Sequence, residues 1–269
     1  MVAQDKKIAV LIDGDNADAT LIEQILNEAS KFGRVTIKRI YADFTTTQMN
    51  GWKNQLNIFA IRPIQKFAYT KGKNSTDSAL IIDAMDIMHS KLVDGFCIVS
   101  SDSDYTGIAH RVREEGLFVM GIGKAHTPEA FVKACENFTY TEILAPKQRR
   151  IEKSVEKTQV VGTPAHKVTS KPMRQIPQEV KKGLTNVITK EPIDMGIVNS
   201  AFEMVFDDIS GLAMASQLGA ALKKVDPTFD IRSYGHTSFS KFIEALKPQF
   251  EIVVRKDKQG QTVMVKRNK

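Results

Sequence analysis

The sequence predicts a doubly wound α/β domain on a parallel sheet, then a basic linker, then a small module of three helices and a hairpin. Three observations carry this. Strand-like and helix-like runs alternate through residue 144. The strand runs are continuous Val/Ile/Leu stretches, as expected where helices cover both faces of a parallel sheet. Residues 191–269 instead show three amphipathic helical stretches followed by two strands around a turn.

The first domain is assigned to residues 1–144. KIAVLI (7–12) is a strand and Ala17 to Lys31 a helix; RVTIKRIYA (34–42) is the second strand. Thr45 to Leu56 is a helix opening on a threonine cap, and NIFAIRP (57–63) the third strand. Ser75 to Ser90 is a helix capped by Ser75 or Thr76, and GFCIVS (95–100) the fourth strand. Ser103 to Glu115 is a helix that Gly116 stops, LFVMGIG (117–123) the fifth strand, and a short helix from Pro128 and the run FTYTEIL close the domain. In such sheets ligands sit outside the carboxyl ends of the strands.

Charge is unevenly divided. The net +7 resolves into −2 over residues 1–144, +8 over 145–190 and +1 over 191–269. The middle stretch has several prolines, few aromatics and no sustained apolar period, so it reads as a flexible basic tether. Lys147, Arg149, Arg150, Lys153 and Lys157 can track a phosphate backbone. No run approaches the roughly 18–20 apolar residues of a membrane span, and the five apolar residues after Lys7 run into Asp13, which is no signal peptide. Cys97 and Cys135, the only cysteines, lie in apolar contexts and point to reduced thiols in the cytoplasm. Five scattered histidines give no zinc spacing.

Five acids stand out. Strand one ends VLIDGDN and strand four IVSSDSD, which puts Asp13, Asp15 and Asn16 at one strand end and Asp102 and Asp104 at another. First and fourth strands are neighbours at the switch point of such folds, so the two groups converge. In the helix TDSALIIDAMDIMHS, Leu80, Ile81, Ala84, Met85 and Met88 define the buried face, and Asp77 lies on that face at the first turn. Asp83 and Asp86 read as a solvated face. Asp102 or Ser103 also suits a helix cap, with Asp104 favoured by the helix dipole. Carboxylates converging from separate elements repel unless a cation lies among them, and hard oxygen ligands favour Mg²⁺ or Mn²⁺. Such an ion activates water and neutralises a phosphodiester.

Beside the acids, QKFAYTKGKNSTD interleaves Lys66, Lys71 and Lys73 with Phe67 and Tyr69, a pattern suited to stacking bases and meeting phosphates of a single strand. The rim loop GKAHTP adds Lys124 and His126 as weaker candidates. LIDGDN, KGKNSTDSALIIDAMD and IVSSDSDY, in this order and spacing, resemble the NYN domains of the PIN-like nuclease superfamily, near its LabA-like branch, over about residues 6–144. The resemblance implies a PIN-like Rossmannoid sheet and a metal-dependent endoribonuclease. Carried across, the family's acids and Asn fall on Asp13, Asn16, Asp77, Asp102 and Asp104; Asp15 is an additional carboxylate whose role the resemblance leaves open.

In the last module, three helices and a hairpin make a winged helix, a fold that often reads nucleic acid. LGAALKKVDPTFDIRSYGHTSFSKFIE resembles the OST-HTH, or LOTUS, domain, and its pairing with an NYN domain implies RNA as ligand. Arg232, Tyr234, His236, Lys241, Arg255 and Lys256 are the candidate RNA contacts, while a protein partner or a second copy through this module remains an alternative. The expectation is a cytoplasmic Mg²⁺- or Mn²⁺-dependent endoribonuclease with a C-terminal RNA-binding module. The alternatives are a non-catalytic RNA-binding adaptor with a vestigial acidic site and, on the strength of Asp13-Gly14-Asp15, a phosphatase using an aspartyl nucleophile.

Overall fold

In the computed structural model, six strands form one parallel sheet: β1 (Lys7–Asp13), β2 (Arg34–Ala42), β3 (Arg62–Gln65), β4 (Gly95–Val99), β5 (Phe118–Gly123) and β6 (Asn137–Tyr140). Their order is β3-β2-β1-β4-β5-β6, with β1 paired to both β2 and β4. The structure describes residues 6–67, 75–145, 192–257 and 260–268. The crossovers carry α1 (Ile22–Ser30), α2 (Trp52–Ile58), α3 (Ser75–His89), α4 (Thr106–Glu114), α5 (Glu129–Ala134) and α6 (Thr141–Leu144).

Side chains of a strand alternate between faces, and β1 divides its residues accordingly. Ala9 and Leu11 enter a core with Leu80, Ala84, Ile108, Val112 and Phe131 of α3, α4 and α5. Ile8, Val10 and Ile12 enter a second core with Ile22, Ile25 and Trp52 of α1 and α2. Each fully buried aliphatic side chain contributes about 1.5–3 kcal/mol, which makes the central strand the anchor of both layers. Gly116 ends the α4 segment at φ +73°, a conformation open to glycine at little cost.

Two expectations shift. The run NIFA belongs to the end of α2 and the turn after it, and β3 begins only at Arg62. Leu56 and Phe59, one helical turn apart, both pack on the α1-side core, so a short apolar run that suits a strand serves here as a helix face. Asp83 is not a solvated residue of α3: it accepts hydrogen bonds from Arg39 and from the buried Tyr41 hydroxyl. Burial, together with Asp83, pushes the Tyr41 phenol upward, which keeps it a donor. Asp86 is exposed, as expected.

The C-terminal module contains α7 (Met195–Glu203), β7 (Phe206–Asp207), β8 (Leu212–Met214), α8 (Ala215–Val225), α9 (Phe239–Ala245), β9 (Phe250–Asp257) and β10 (Gly260–Arg267). Its antiparallel sheet has the order β7-β8-β10-β9. The hairpin was legible in the sequence. The short β7 and β8 were not, because two or three residues give too little alternation to read. Val198, Phe202, Leu218, Leu222, Phe242 and Phe250 form the module's own core. Met1–Ala145 and Lys190–Lys269 belong to one compact unit. Among the described residues, no helix is long and apolar enough to cross a membrane. Cys97 and Cys135 are free thiols that burial pushes upward, Cys135 to about 12.

Asp83→Ala leaves the Tyr41 hydroxyl buried without its acceptor and is expected to cost about 1–3 kcal/mol in denaturant unfolding. Asp86→Ala on the same helix is expected to stay within about 0.5 kcal/mol of the parent.

Candidate functional site

Pairing of Ile12 with Val99 brings the ends of β1 and β4 to the same edge of the sheet. Beyond β1 the chain turns sharply, with the Gly14 N–H donating to Tyr41 O at 2.9 Å. A Cβ on Gly14 would lie 2.8 Å from the Ala42 Cβ and 3.0 Å from Tyr41 O, so only glycine passes this close to β2. The turn places Asp13 wholly inside, at 0% exposure.

Three donors hold that carboxylate. Oδ1 accepts the Asp15 N–H at 3.1 Å, and Oδ2 accepts Asn16 Nδ2 and Ser100 Oγ, each at 2.7 Å. Burial raises the proton affinity of Asp13, and the hydrogen bonds from Ser100, Asn16 and the Asp15 N–H oppose that rise. Ser100 Oγ also accepts the Asp102 N–H at 3.1 Å, which ties the β4 loop to Asp13.

Asp102 caps a short 3-10 turn, Ser103–Tyr105, by accepting the Asp104 N–H on Oδ1 at 2.9 Å. The turn swings Tyr105 inward, fully buried, and its hydroxyl donates to Asp77 Oδ1 at 2.6 Å. Asp77 sits in the first turn of α3. Each of Asp77, Asp102 and Asp104 offers a carboxylate oxygen within 4.8 Å of the others. Burial raises the proton affinity of Asp77; the Tyr105 hydrogen bond opposes it, and the charges of Asp13, Asp102 and Asp104 add to it. Asp15 is raised by burial and by the charges of Asp77 and Asp43, against a hydrogen bond with Thr76.

The acids expected from the sequence therefore occupy two levels. Asp77, Asp102 and Asp104 make the rim; Asp13 lies buried beneath, with Asn16 bonded to it. Lys66 is half-buried at the end of β3, its N–H donating to Ala42 O at 3.0 Å. Lys124 and His126 are exposed, and the Lys124 N–H donates to Ser101 Oγ at 2.9 Å. Tyr69, Lys71 and Lys73 lie outside the described residues. In the C-terminal module, Tyr234 and His236 pack against Phe242, with ring centroids 5.9 and 5.8 Å away. Lys241 and Arg255 are exposed, the Lys256 side chain is outside the described residues, and Arg232 is engaged by Glu28 and Asp230.

Ser100, Tyr105 and Asp43 were not singled out from the sequence, and Thr76 was read only as a helix cap. Ser100 and Tyr105 flank the aspartates of IVSSDSDY, where a small donor at a strand end is a readable signal. Asp43 directly follows β2, a neighbour of β1, so the strand-end argument used for Asp13 and Asp102 applies to it as well.

A Mg²⁺ ion with bonds of about 2.0–2.1 Å sets its ligand oxygens about 3–4 Å apart. The rim oxygens approach that scale, and all are hard carboxylate donors. Among the described residues, no lysine or arginine forms an ion pair with Asp13, Asp77 or Asp102. The residues present fit a divalent cation.

Residues 7–144 match the NYN domain and residues 175–262 the OST-HTH/LOTUS domain. The first match takes in just over half of the chain, and the chain belongs to the NYN family, carrying a PIN-like α/β domain followed by an OST-HTH/LOTUS domain. The second match starts at residue 175, inside the stretch read from sequence as linker. Among solved structures, a protein of unknown function from Vibrio parahaemolyticus is 20% identical, with a TM-score of 0.44 over 52% of this chain and 96% of its own. An uncharacterised Nitrosomonas europaea protein is 24% identical, with a TM-score of 0.28 over 37% of this chain and 93% of its own. No curated protein matches the chain. The two domains together support an RNA nuclease or RNA-binding role, and NYN/PIN-like proteins generally depend on a divalent metal.

Because Asp77 holds its proton more tightly folded than unfolded, its ionised form costs stability above the folded-state value. The cost vanishes as the pH falls through the carboxylate range. In chelator near neutral pH, Asp77→Asn is therefore expected to melt at a higher temperature than the parent. The difference should shrink on acidification when followed by thermal denaturation.

Proposed function

We propose that the protein is a Mg²⁺- or Mn²⁺-dependent endoribonuclease whose C-terminal module supplies affinity for RNA. The observation that carries this reading is the convergence of Asp77, Asp102 and Asp104 oxygens above the buried, hydrogen-bonded Asp13. Asp77, Asp102 and Asp104 would hold the ion, with Asp13 beneath them. A bound ion there supplies charge neutralisation at the phosphodiester and an activated water.

The chain's own residues prepare the site. Tyr105 fixes one oxygen of Asp77, and the 3-10 turn fixes Asp102 against Asp104. Ser100 couples Asp13 to the Asp102 backbone, so the buried acid and the rim move together. Asn16, bonded to Asp13, is assigned to orient substrate or water. Lys66, just after β3, and the exposed Lys241 and Arg255 of the module are the cations assigned to RNA phosphates, with Tyr69, Lys71, Lys73 and Lys256 beside them in sequence. The domain reading is 1–144 for the nuclease, 145–190 for the basic connection and 191–269 for the winged helix. The two free thiols suit a reducing, cytoplasmic setting.

Cleavage of single-stranded, duplex and quadruplex RNA with added Mg²⁺ or Mn²⁺ tests the reading. Ser100→Ala, which touches the acids only by hydrogen bonds, is expected to lower the rate about 10–100-fold. Asp102→Asn and Asp13→Asn should lower it at least as far. Asp-to-Asn variants that cut as fast as the parent would refute the reading. Undiminished binding without turnover across metals and RNA shapes would favour a non-catalytic RNA-binding adaptor.

A further inference from the structure

The seam between the two domains is built around one carboxylate that no catalytic argument uses. Glu28 of α1 has a side chain only 5% exposed. Arg232 of the winged-helix module meets it with both ends of its fork, Nη1 to Oε2 at 3.1 Å and Nη2 to Oε1 at 3.0 Å. The Arg232 guanidinium is braced by Asp230, whose two oxygens accept its Nε at 2.9 and 3.0 Å. Lys31 adds its ammonium to Glu28 at 2.7 Å. Paired, bidentate contacts of this kind are geometrically specific as well as attractive.

Two neighbouring contacts extend the seam. The Lys223 ammonium lies 5.1 Å over the Phe32 ring, which itself stacks on Phe118 at 5.2 Å. The Phe138 N–H, on the outer edge of β6, donates to Pro227 O at 2.8 Å. A cleft of about 610 Å³ opens at the seam, with Lys31 on one side and Phe239 on the other.

The position of this latch in the fold is informative. α1 runs back from the carboxyl end of β1, so Glu28, Lys31 and Phe32 lie close to where β2 starts. The Arg34 N–H donates to Lys6 O at 2.7 Å at that amino-terminal edge, and Phe118 opens β5 beside Gly95 there. Asp13 and Asp102 stand at the opposite edge. The seven residues of β1 separate the two edges by about 20 Å, at about 3.3 Å per residue.

We propose that Glu28 and Arg232 are positioning residues for RNA: their contact, at the sheet edge away from the acids, holds the winged-helix module at a fixed distance from the acid rim, so that only an RNA spanning the gap engages module and acid rim together. The proposal rests on the reading of RNA as substrate, and it deepens that reading to RNAs longer than a short oligonucleotide. A gap of about 20 Å corresponds to about six stacked nucleotides at about 3.4 Å each. Below that length the module adds nothing to binding at the acids; above it the second contact becomes intramolecular and affinity rises steeply.

The test is RNA affinity of the full chain, measured with Ca²⁺ in place of Mg²⁺ or Mn²⁺ so that the acid rim is neutralised, using oligouridylates below and above that length. The parent should show a step on the order of 100-fold between the two classes. Glu28→Gln and Arg232→Gln should each abolish the step while leaving the short oligomers unaffected, and the double variant should be no worse than either single one. The two substitutions change net charge in opposite directions, so simple attraction to phosphate would move affinity in opposite directions, whereas loss of the latch moves both the same way. Glu28→Gln leaves Arg232 paired with Asp230, and Arg232→Gln leaves Glu28 paired with Lys31 and Asp230 with the charge of Lys223. A step that survives both substitutions, a flat length dependence in the parent, or opposite shifts in the two variants would each overturn the proposal. A parent that shows the step yet cuts no RNA supports it and overturns the endonuclease reading alone.

Discussion

A buried carboxylate between two parallel strands organises the acidic edge of this protein. Asp13 ends β1 at zero exposure, and its Oδ2 accepts Ser100 Oγ from the end of β4. An ionised group so placed is tolerable only if its oxygens are satisfied, and Asp15, Asn16 and Ser100 do that. The same bonds fix the two loops that leave the strands. Ser100 holds the Asp102 N–H, Asp102 caps the turn that buries Tyr105, and Tyr105 holds Asp77 on a third element. The rim of carboxylates is thus the outer end of a hydrogen-bond chain that begins in the core.

That arrangement works against the stability of the metal-free chain. Neighbouring charges raise the proton affinity of Asp77 and Asp15, after burial has already done so. Repulsion is accepted at one edge of a sheet whose two cores are otherwise apolar and filled. Such local conflict, against consistent patterning elsewhere, is the usual mark of a functional site.

Much of this was legible in the sequence. Continuous apolar runs ending in acids announced the parallel sheet and its carboxyl edge, and the spacing of Leu80, Ala84 and Met88 placed Asp77 on the inward face of α3. What escaped were features set by contacts distant in sequence. Asp83 looked like a solvated helix residue because its partners, Arg39 and Tyr41, come from β2. The pairing of Arg232 with Glu28 had no sequence signal either, because the two partners lie in different domains. Asp13 and Asp102 meet through Ser100 at one sheet edge, but the burial of Asp13 beneath a partly exposed rim depends on the Gly14 turn against β2, a packing fact with no periodic signal.

The acid rim is proposed to hold a divalent cation. The most direct test is Mn²⁺ titration followed by electron paramagnetic resonance, comparing the parent with a variant carrying Asp77→Asn and Asp102→Asn together. The account predicts saturable Mn²⁺ binding by the parent, competed by Mg²⁺, and its loss in the double variant with the fold intact. Mn²⁺ binding that survives both substitutions, or no saturable binding by the parent, would contradict it.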